Sequence, residues 1–265
     1  MRSAVRSLLR YRRNRYLSQA GEAGILEEVL RRLGIRHGVM VEAGACDGLF
    51  LSNTNQFVGH GHRLVYVESN PVEFGRLVDN FAGTEDVLTI QRHIAPTGAD
   101  SLDAVLTEAG VPAEFDLLVL DLDSYDLAVF RAMTRVPKVV MLEYNPFFFP
   151  DENYEADTGA LNPSRGGKGS SLGAIYQAAL AKGYEIVCTL NMNAVFVRAD
   201  LRHLVVDRPV SRDDSATYEF LPLGKLTLRQ MAQRAYYLGA ARVLHALAIR
   251  AGLVKTFEYP PRGNS

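Results

Sequence analysis

The stretch "VMVEAGACDGLFLSNT", residues 39–54, decides how the chain is read. It begins as an apolar run, turns at Gly44, and carries two acids, Glu42 and Asp47, around a loop with glycines at 44 and 48. A strand running into a glycine loop is the first unit of a nucleotide-binding α/β fold. A phosphate-binding loop, however, offers glycine amides and a lysine to an anion. Acids in the same place call for a ligand that is cationic or rich in hydroxyls.

The remainder of the chain continues the alternation that this stretch begins. "GVMVEAG", "HRLVYVES", "VLTIQRH", "FDLLVLDLD", "PKVVMLEYN", "YEIVCTL" and "NAVFVRA" read as strands, most of them short continuous apolar runs. "PVEFGRLVDNFA", "SLDAVLTEAG", "YDLAVFRAMTR" and "SLGAIYQAALAKG" carry helical spacing between them, and "GILEEVLRRLGI" predicts a helix ahead of the first strand, stopped at Gly34. Strands that alternate with helices imply an α/β fold with a parallel sheet covered by helices on both faces. The last two strands are joined only by the short "NMN" segment, so they must be antiparallel neighbours. Three regions follow: an N-terminal helical extension over 1–36, a core over 37–206 with an insert at 146–170, and a basic C-terminal helical extension over 207–265.

In such a sheet, ligands sit beyond the carboxyl ends of the strands. This chain ends four of its first five strands in acids: Glu42, Glu68, the pair Asp121 and Asp123, and Glu143 followed by Asn145. S-adenosylmethionine fits that polarity, with a sulfonium, an ammonium and two ribose hydroxyls. Glu68 lies 20 residues past Gly48, the interval at which dinucleotide folds also place a ribose-binding acid. Spacing alone therefore leaves NAD open. The missing third glycine of G-x-G-x-x-G and the antiparallel last strand count against it.

Composition sets the outer bounds. With 265 residues, 48% hydrophobic and 22% charged, the chain has the make-up of a globular protein with a substantial core. Cys46 and Cys188 lie far apart with no metal-ligand spacing, which predicts neither a disulfide framework nor a zinc site and fits a reducing cytoplasm. No long uncharged apolar window predicts a membrane span, and no leader is expected at the N-terminus. The net charge of −1 conceals basic ends: six arginines and no acid in residues 1–16, and seven Lys/Arg against Glu258 in residues 221–265. On an ideal helix Arg229, Arg234, Arg242 and Arg250 scatter around the axis, so no nucleic-acid partner is expected, and the ends are read as lying against the acidic body or a second subunit. Tyr236, Leu238, Val243, Leu244, Leu247 and Ile249 are apolar enough to bury in a homo-oligomer.

Seven stretches in order, "YLSQAGEAGILEEVLRRLGI", "VEAGACDGLFLSNT", "LVYVESNP", "SLDAVL", "FDLLVLDLDSYDLAVF", "VPKVVMLEYN" and "GSSLGAIYQAALAKGYEIV", resemble the FkbM-type S-adenosylmethionine-dependent methyltransferases over roughly residues 16–200. The resemblance implies the seven-stranded Rossmann-like methyltransferase sheet, S-adenosylmethionine as cofactor, and methylation of a hydroxyl on a sugar or other small metabolite. It places Glu42, Gly44 and Asp47, with Ala45 and Gly48 of the same loop, near the methionine half, Glu68 on the ribose hydroxyls, and Ser69 and Asn70 near the adenine. Asn53 and His93 are further candidate contacts, and Asp121 is expected to orient the cofactor.

An acceptor hydroxyl must also lose its proton, to a general base or with help from a metal. Asp121, Glu143 and Asn145 form an oxygen-rich set suited to Mg²⁺, similar to metal-dependent small-molecule O-methyltransferases. Asp123, Tyr125 and Asp126 are the alternative bases. The polar and aromatic insert offers Tyr154, Arg165 and Lys168 to an acceptor, and Ser170 is expected to cap the next helix. Two other readings stand beside this one: a methyltransferase-like scaffold without chemistry, and a methyltransferase acting on a macromolecule.

Overall fold

The structure, a computed structural model, describes residues 8–13, 18–156, 169–190, 192–216, 221 and 223–232. Arg165, Lys168 and the apolar C-terminal residues from Tyr236 to Ile249 lie outside the described residues, as does most of the basic N-terminal run.

All seven expected strands form. They are β1 (Val39–Ala43), β2 (Arg63–Glu68), β3 (Val87–Gln91), β4 (Leu117–Leu120), β5 (Val139–Glu143), β6 (Tyr184–Leu190) and β7 (Asn193–Arg198). Their apolar runs lie at the centre of the molecule: every residue of β4 is buried, as are Val139 to Leu142 of β5 and Leu64 to Glu68 of β2. The sheet order is β3-β2-β1-β4-β5-β7-β6, parallel through β5, with β7 antiparallel to both β5 and β6. This is the seven-stranded, mostly parallel Rossmann-like sheet expected from the sequence, with its reversed strand next to β5.

Among the described residues five longer helices accompany the strands: α1 (Glu22–Arg32), α2 (Pro71–Asn80), α3 (Leu102–Glu108), α4 (Asp126–Ala132) and α5 (Leu172–Ala181). Two single turns follow, α6 (Arg202–Val205) and α7 (Arg212–Ser215). The chain order reverses direction across the sheet between β1 and β4. With right-handed crossovers, α2 therefore covers one face while α3 and α4 cover the other. That reversal opens the crevice at the carboxyl ends of β1 and β4 where ligands bind in folds of this kind.

Local sequence explains the helix ends. Asn70 Oδ1 accepts the amides of Val72 and Glu73 ahead of Pro71, which occupies the first turn of α2 where a missing N–H costs nothing. α5 is capped by Ser171, whose Oγ accepts the Ala174 amide, and not by Ser170, whose Oγ accepts the Ala156 amide from the insert. The expected cap is thus displaced by one residue, because the strand-like bridge between Asn145 and Ser171 sets the register.

The chain divides into two compact units, residues 1–216 and 217–265. α1 belongs to the first unit: Glu22 Oε1 accepts from Asn193 Nδ2 at 3.2 Å, and Arg32 donates to the Val205 carbonyl at 2.6 Å. α7 belongs to it as well, since the Thr189 hydroxyl of β6 donates to the Ser215 carbonyl.

Candidate active site at the strand ends

The loop after β1 folds back over β2, with the Gly44 and Ala45 amides both donating to the Val67 carbonyl. Gly44 has φ +87°, and a Cβ there would lie 1.8 Å from the Asp121 carbonyl oxygen. Only glycine lets the ends of β1 and β4 approach this closely. Gly48, at φ +73°, sits where a Cβ would meet Phe81 at 2.4 Å and Leu77 at 2.6 Å. The second glycine thus serves the packing of α2, the role of the third glycine in a dinucleotide fingerprint. Asp47 turns its carboxylate inward along the loop, where Oδ1 accepts the amides of Leu49 and Phe50.

Glu42 is the penultimate residue of β1. It lies within β1, is 4% exposed, and points to the face where residues 52–54 pass. Its carboxylate accepts the Ser52 hydroxyl at 2.8 Å, the Asn53 amide at 2.9 Å, and both the amide (3.3 Å) and hydroxyl (2.5 Å) of Thr54. Burial pushes its pKa up, against the pull of those donors. These contacts make Glu42 the strut that holds residues 52–54. Asn53, 6% exposed, gives its amide to Glu42, and its Oδ1 is buried without a partner.

Glu68, the last residue of β2, is held differently. Oε2 accepts the Cys46 amide at 2.8 Å and Oε1 the Asn70 amide at 2.7 Å. One carboxylate thereby joins the β1 loop to the start of α2. Each oxygen retains an acceptor site for a further donor, since an ionised carboxylate offers about four. The Asn70 side chain is engaged as the α2 cap, leaving the exposed Ser69 beside it at the expected adenine side. The exposed His93, two residues past β3, packs edge-on against Tyr125 beyond β4, with ring centroids 5.5 Å apart. β2 and β1 lie between those strands in the sheet, so the two side chains close a bridge beside the strand ends.

The acids beyond β4 and β5 gather into one group. Asp121 and Asp123 are exposed, and Glu143 is hydrogen-bonded to Asp121. Burial, and then the charges of Asp121 and Asp126, push the Glu143 pKa up to about 9. Asp126 is 3% exposed, and its two oxygens accept the Leu122 amide at 2.8 Å and the Ser124 amide at 3.2 Å; burial lifts its pKa to about 7. Between those amides the backbone is left-handed at two residues that are not glycine, Asp123 (φ 53°) and Ser124 (φ 99°). Such conformations cost about 1–3 kcal/mol each and persist only where surrounding contacts enforce them.

Of the three residues expected to hold a metal, Asp121 and Glu143 meet directly and Asn145 is engaged in a turn. Asn145 is 3% exposed and its Oδ1 accepts the Phe147 amide at 3.0 Å, while Asp121 and Glu143 are bonded to each other. Among the described residues no group of three or more His, Cys, Asp or Glu side chains is arranged to hold a metal ion. Tyr154 stacks on Phe148 with centroids 4.5 Å apart, and its amide donates to Ser171 Oγ, so the near end of the insert is anchored to the start of α5.

No family model matches the chain, and comparison with curated proteins finds no match. Among solved structures, the N-terminal domain of EvdMO1, determined with S-adenosylhomocysteine and D-fucose, is 14% identical with a TM-score of 0.44, covering 67% of this chain and 82% of that one. A putative caffeoyl-CoA O-methyltransferase from Staphylococcus aureus gives 13% identity and a TM-score of 0.44 over 66% of this chain and 82% of its own. The [4+2]-cyclase SpnF gives 15% and 0.42 over 88% and 70%. These are likenesses of chain path; the chemistry follows from the site.

Two parts of the site have no counterpart in the sequence-level expectation. The Ser124 hydroxyl accepts the Gly169 amide at 3.0 Å, tying the β4 turn to the end of the insert. The Cys46 amide is the donor that fixes Glu68, and no residue type announces a backbone amide.

Proposed function

We propose that this chain is an S-adenosylmethionine-dependent methyltransferase of FkbM type that methylates a hydroxyl on a small acceptor such as a sugar. The observation that supports it most is Glu68. It is a buried carboxylate at the end of β2, fixed by two backbone amides with acceptor capacity left for two ribose hydroxyls, at the crevice of a seven-stranded sheet with a reversed strand. The surrounding acids suit a cationic ligand and oppose a dinucleotide pyrophosphate.

S-adenosylmethionine supplies an electrophilic methyl group on a sulfonium. The protein has to hold the donor, exclude alternative nucleophiles and accept one proton from the acceptor hydroxyl as the new C–O bond forms and the C–S bond breaks. Asp123 is the base favoured by the geometry: it is exposed at the end of β4, whereas Asp126 is buried with both oxygens on amides and Tyr125 packs on His93. Holding the acceptor near its reaction geometry supplies much of the remaining rate.

The test incubates the protein and S-adenosylmethionine with a panel of sugars and other hydroxylated metabolites and follows product mass. A methyl group on oxygen, with turnover lowered on the order of 10²-fold or more in Asp123→Asn, supports the reading. Methyl transfer to nitrogen or to a macromolecule, or S-adenosylhomocysteine binding with no transfer to any acceptor class, contradicts it.

A further inference from the structure

We infer that Asp126 is a positioning residue whose carboxylate clamps the strained Leu122–Ser124 turn and so sets the His93–Tyr125 bridge and the Gly169 contact around the bound cofactor. The inference rests on the cofactor reading above and adds to it a residue that touches neither cofactor nor acceptor.

The argument begins with the backbone. A serine at φ 99° and an aspartate at φ 53° do not stay there unaided, because the Cβ of an L-residue disfavours both. Asp126 supplies the restraint: its two oxygens take the amides on either side of Asp123, at 2.8 and 3.2 Å, and close a ring over five residues. The Tyr125 amide adds a 3.3 Å bond to the Leu122 carbonyl inside that ring. Three things then leave the ring in fixed directions. Asp123 is exposed between the clamped amides. Tyr125 meets His93 from the far side of β1 and β2. Ser124, 8% exposed, receives the Gly169 amide, which adjoins the Ser170 carbonyl that accepts from the Asn145 amide at the end of β5.

The ring is thus joined to His93 on one side and to the end of the insert on the other. A carboxylate buried only to cap α4 would not need both amides of a left-handed turn, and the α4 cap position is Tyr125, which makes no side-chain cap bond. Strain held by a buried group next to exposed polar side chains is how folds preset a site before the ligand arrives.

Asp126→Asn is the direct test, because it keeps size and one acceptor while turning an N–H₂ toward a backbone N–H. Two readouts are followed under conditions where circular dichroism shows each variant folded: S-adenosylhomocysteine affinity by calorimetry, and the His93 ring resonance in protein with ¹³C-labelled histidine, assigned with His93→Gln. The expected result is an affinity loss of tenfold or more and a shifted His93 resonance in the cofactor-free protein. The double variant Asp126→Asn/Ser124→Gly recovers most of the His93 shift, since glycine adopts φ 99° without a clamp, but not the affinity that depends on the Ser124 hydroxyl and the Gly169 amide. Where the asparagine variant does not fold, Asp126→Glu keeps the charge and both acceptors but lengthens the clamp by one methylene, and the same two readouts decide. An affinity within twofold of wild type and an unmoved His93 resonance in a folded variant overturn the inference and leave Asp126 a stability residue. Wild type that fails to bind S-adenosylhomocysteine overturns the cofactor reading instead, and the inference with it.

Discussion

Replacing Glu42 with alanine separates two roles that look alike in the sequence. As a ligand to the methionine half, Glu42 would govern affinity; as the strut that holds residues 52–54, it governs stability. The alanine variant leaves the buried Asn53 amide without its acceptor, at about 1–3 kcal/mol, while the Thr54 amide loses one of two acceptors and keeps Ser52 Oγ at 3.3 Å. The hydroxyls of Ser52 and Thr54 lose the same partner but can rotate, and Thr54 Oγ1 already lies 3.2 Å from the Tyr66 hydroxyl. Removal of an unfavourably buried charge offsets part of the loss, while the cavity left by two methylenes and a carboxylate adds to it. The net expectation is a destabilisation of about 3–5 kcal/mol. For a unit of this size that corresponds to a fall of roughly 6–20 °C in melting temperature. Thermal melts of wild type and Glu42→Ala, with S-adenosylhomocysteine calorimetry below the lower transition, measure both quantities. A melting temperature within about 2 °C of wild type, together with an affinity loss of tenfold or more, would refute the strut and return Glu42 to the cofactor.

Glu143→Gln should stabilise the cofactor-free protein. The folded-state pKa is raised to about 9 by burial and by Asp121, so the cost of ionisation is absent below the ordinary value near 4.5 and grows as pH rises toward 9. The variant is expected to gain about 1–3 kcal/mol at pH 8 and little at pH 4.5, and equal melting shifts at the two pH values would remove the carboxyl group from this cluster. His62 acts in the opposite direction. Its Nδ1 accepts the Gly38 amide at 3.0 Å, and burial first, then His37, lowers its pKa below 6.5. Its contribution is complete above the unfolded pKa of about 6.5 and is lost as pH falls toward the folded value. Melts of wild type against His62→Gln between pH 7 and 5 should therefore converge as acid is added, and parallel curves would contradict the assignment.

The sheet was legible because burial on both faces demands continuous apolar runs, and the helices between them carry a different period. The reversed β7 was legible because the two residues between Leu190 and Asn193 cannot cross over to a parallel strand. Glu68 was legible as the last residue of β2. The contacts of Glu42 were not legible: it lies inside β1, one residue short of its end, and its carboxylate gathers donors from residues 52–54. A signal was present in Ser52, Asn53 and Thr54, a run of donors that a buried carboxylate can gather, but nothing local pairs it with an acid ten residues earlier. The local turn at Asn145 was not legible either, although an asparagine two residues before an amide readily closes a turn on itself. The positive φ of Ser124 had no sequence signal, because serine is not a residue expected there.

Calorimetric titration of S-adenosylhomocysteine into wild type and Glu68→Ala tests the central claim most directly. The predicted result is saturable one-site binding in wild type, undisturbed by NAD, and a loss of about 1.5–3 kcal/mol in the folded variant, or roughly 10- to 150-fold in affinity. Equal affinity in a folded Glu68→Ala, or a wild type that binds NAD and not S-adenosylhomocysteine, would contradict it.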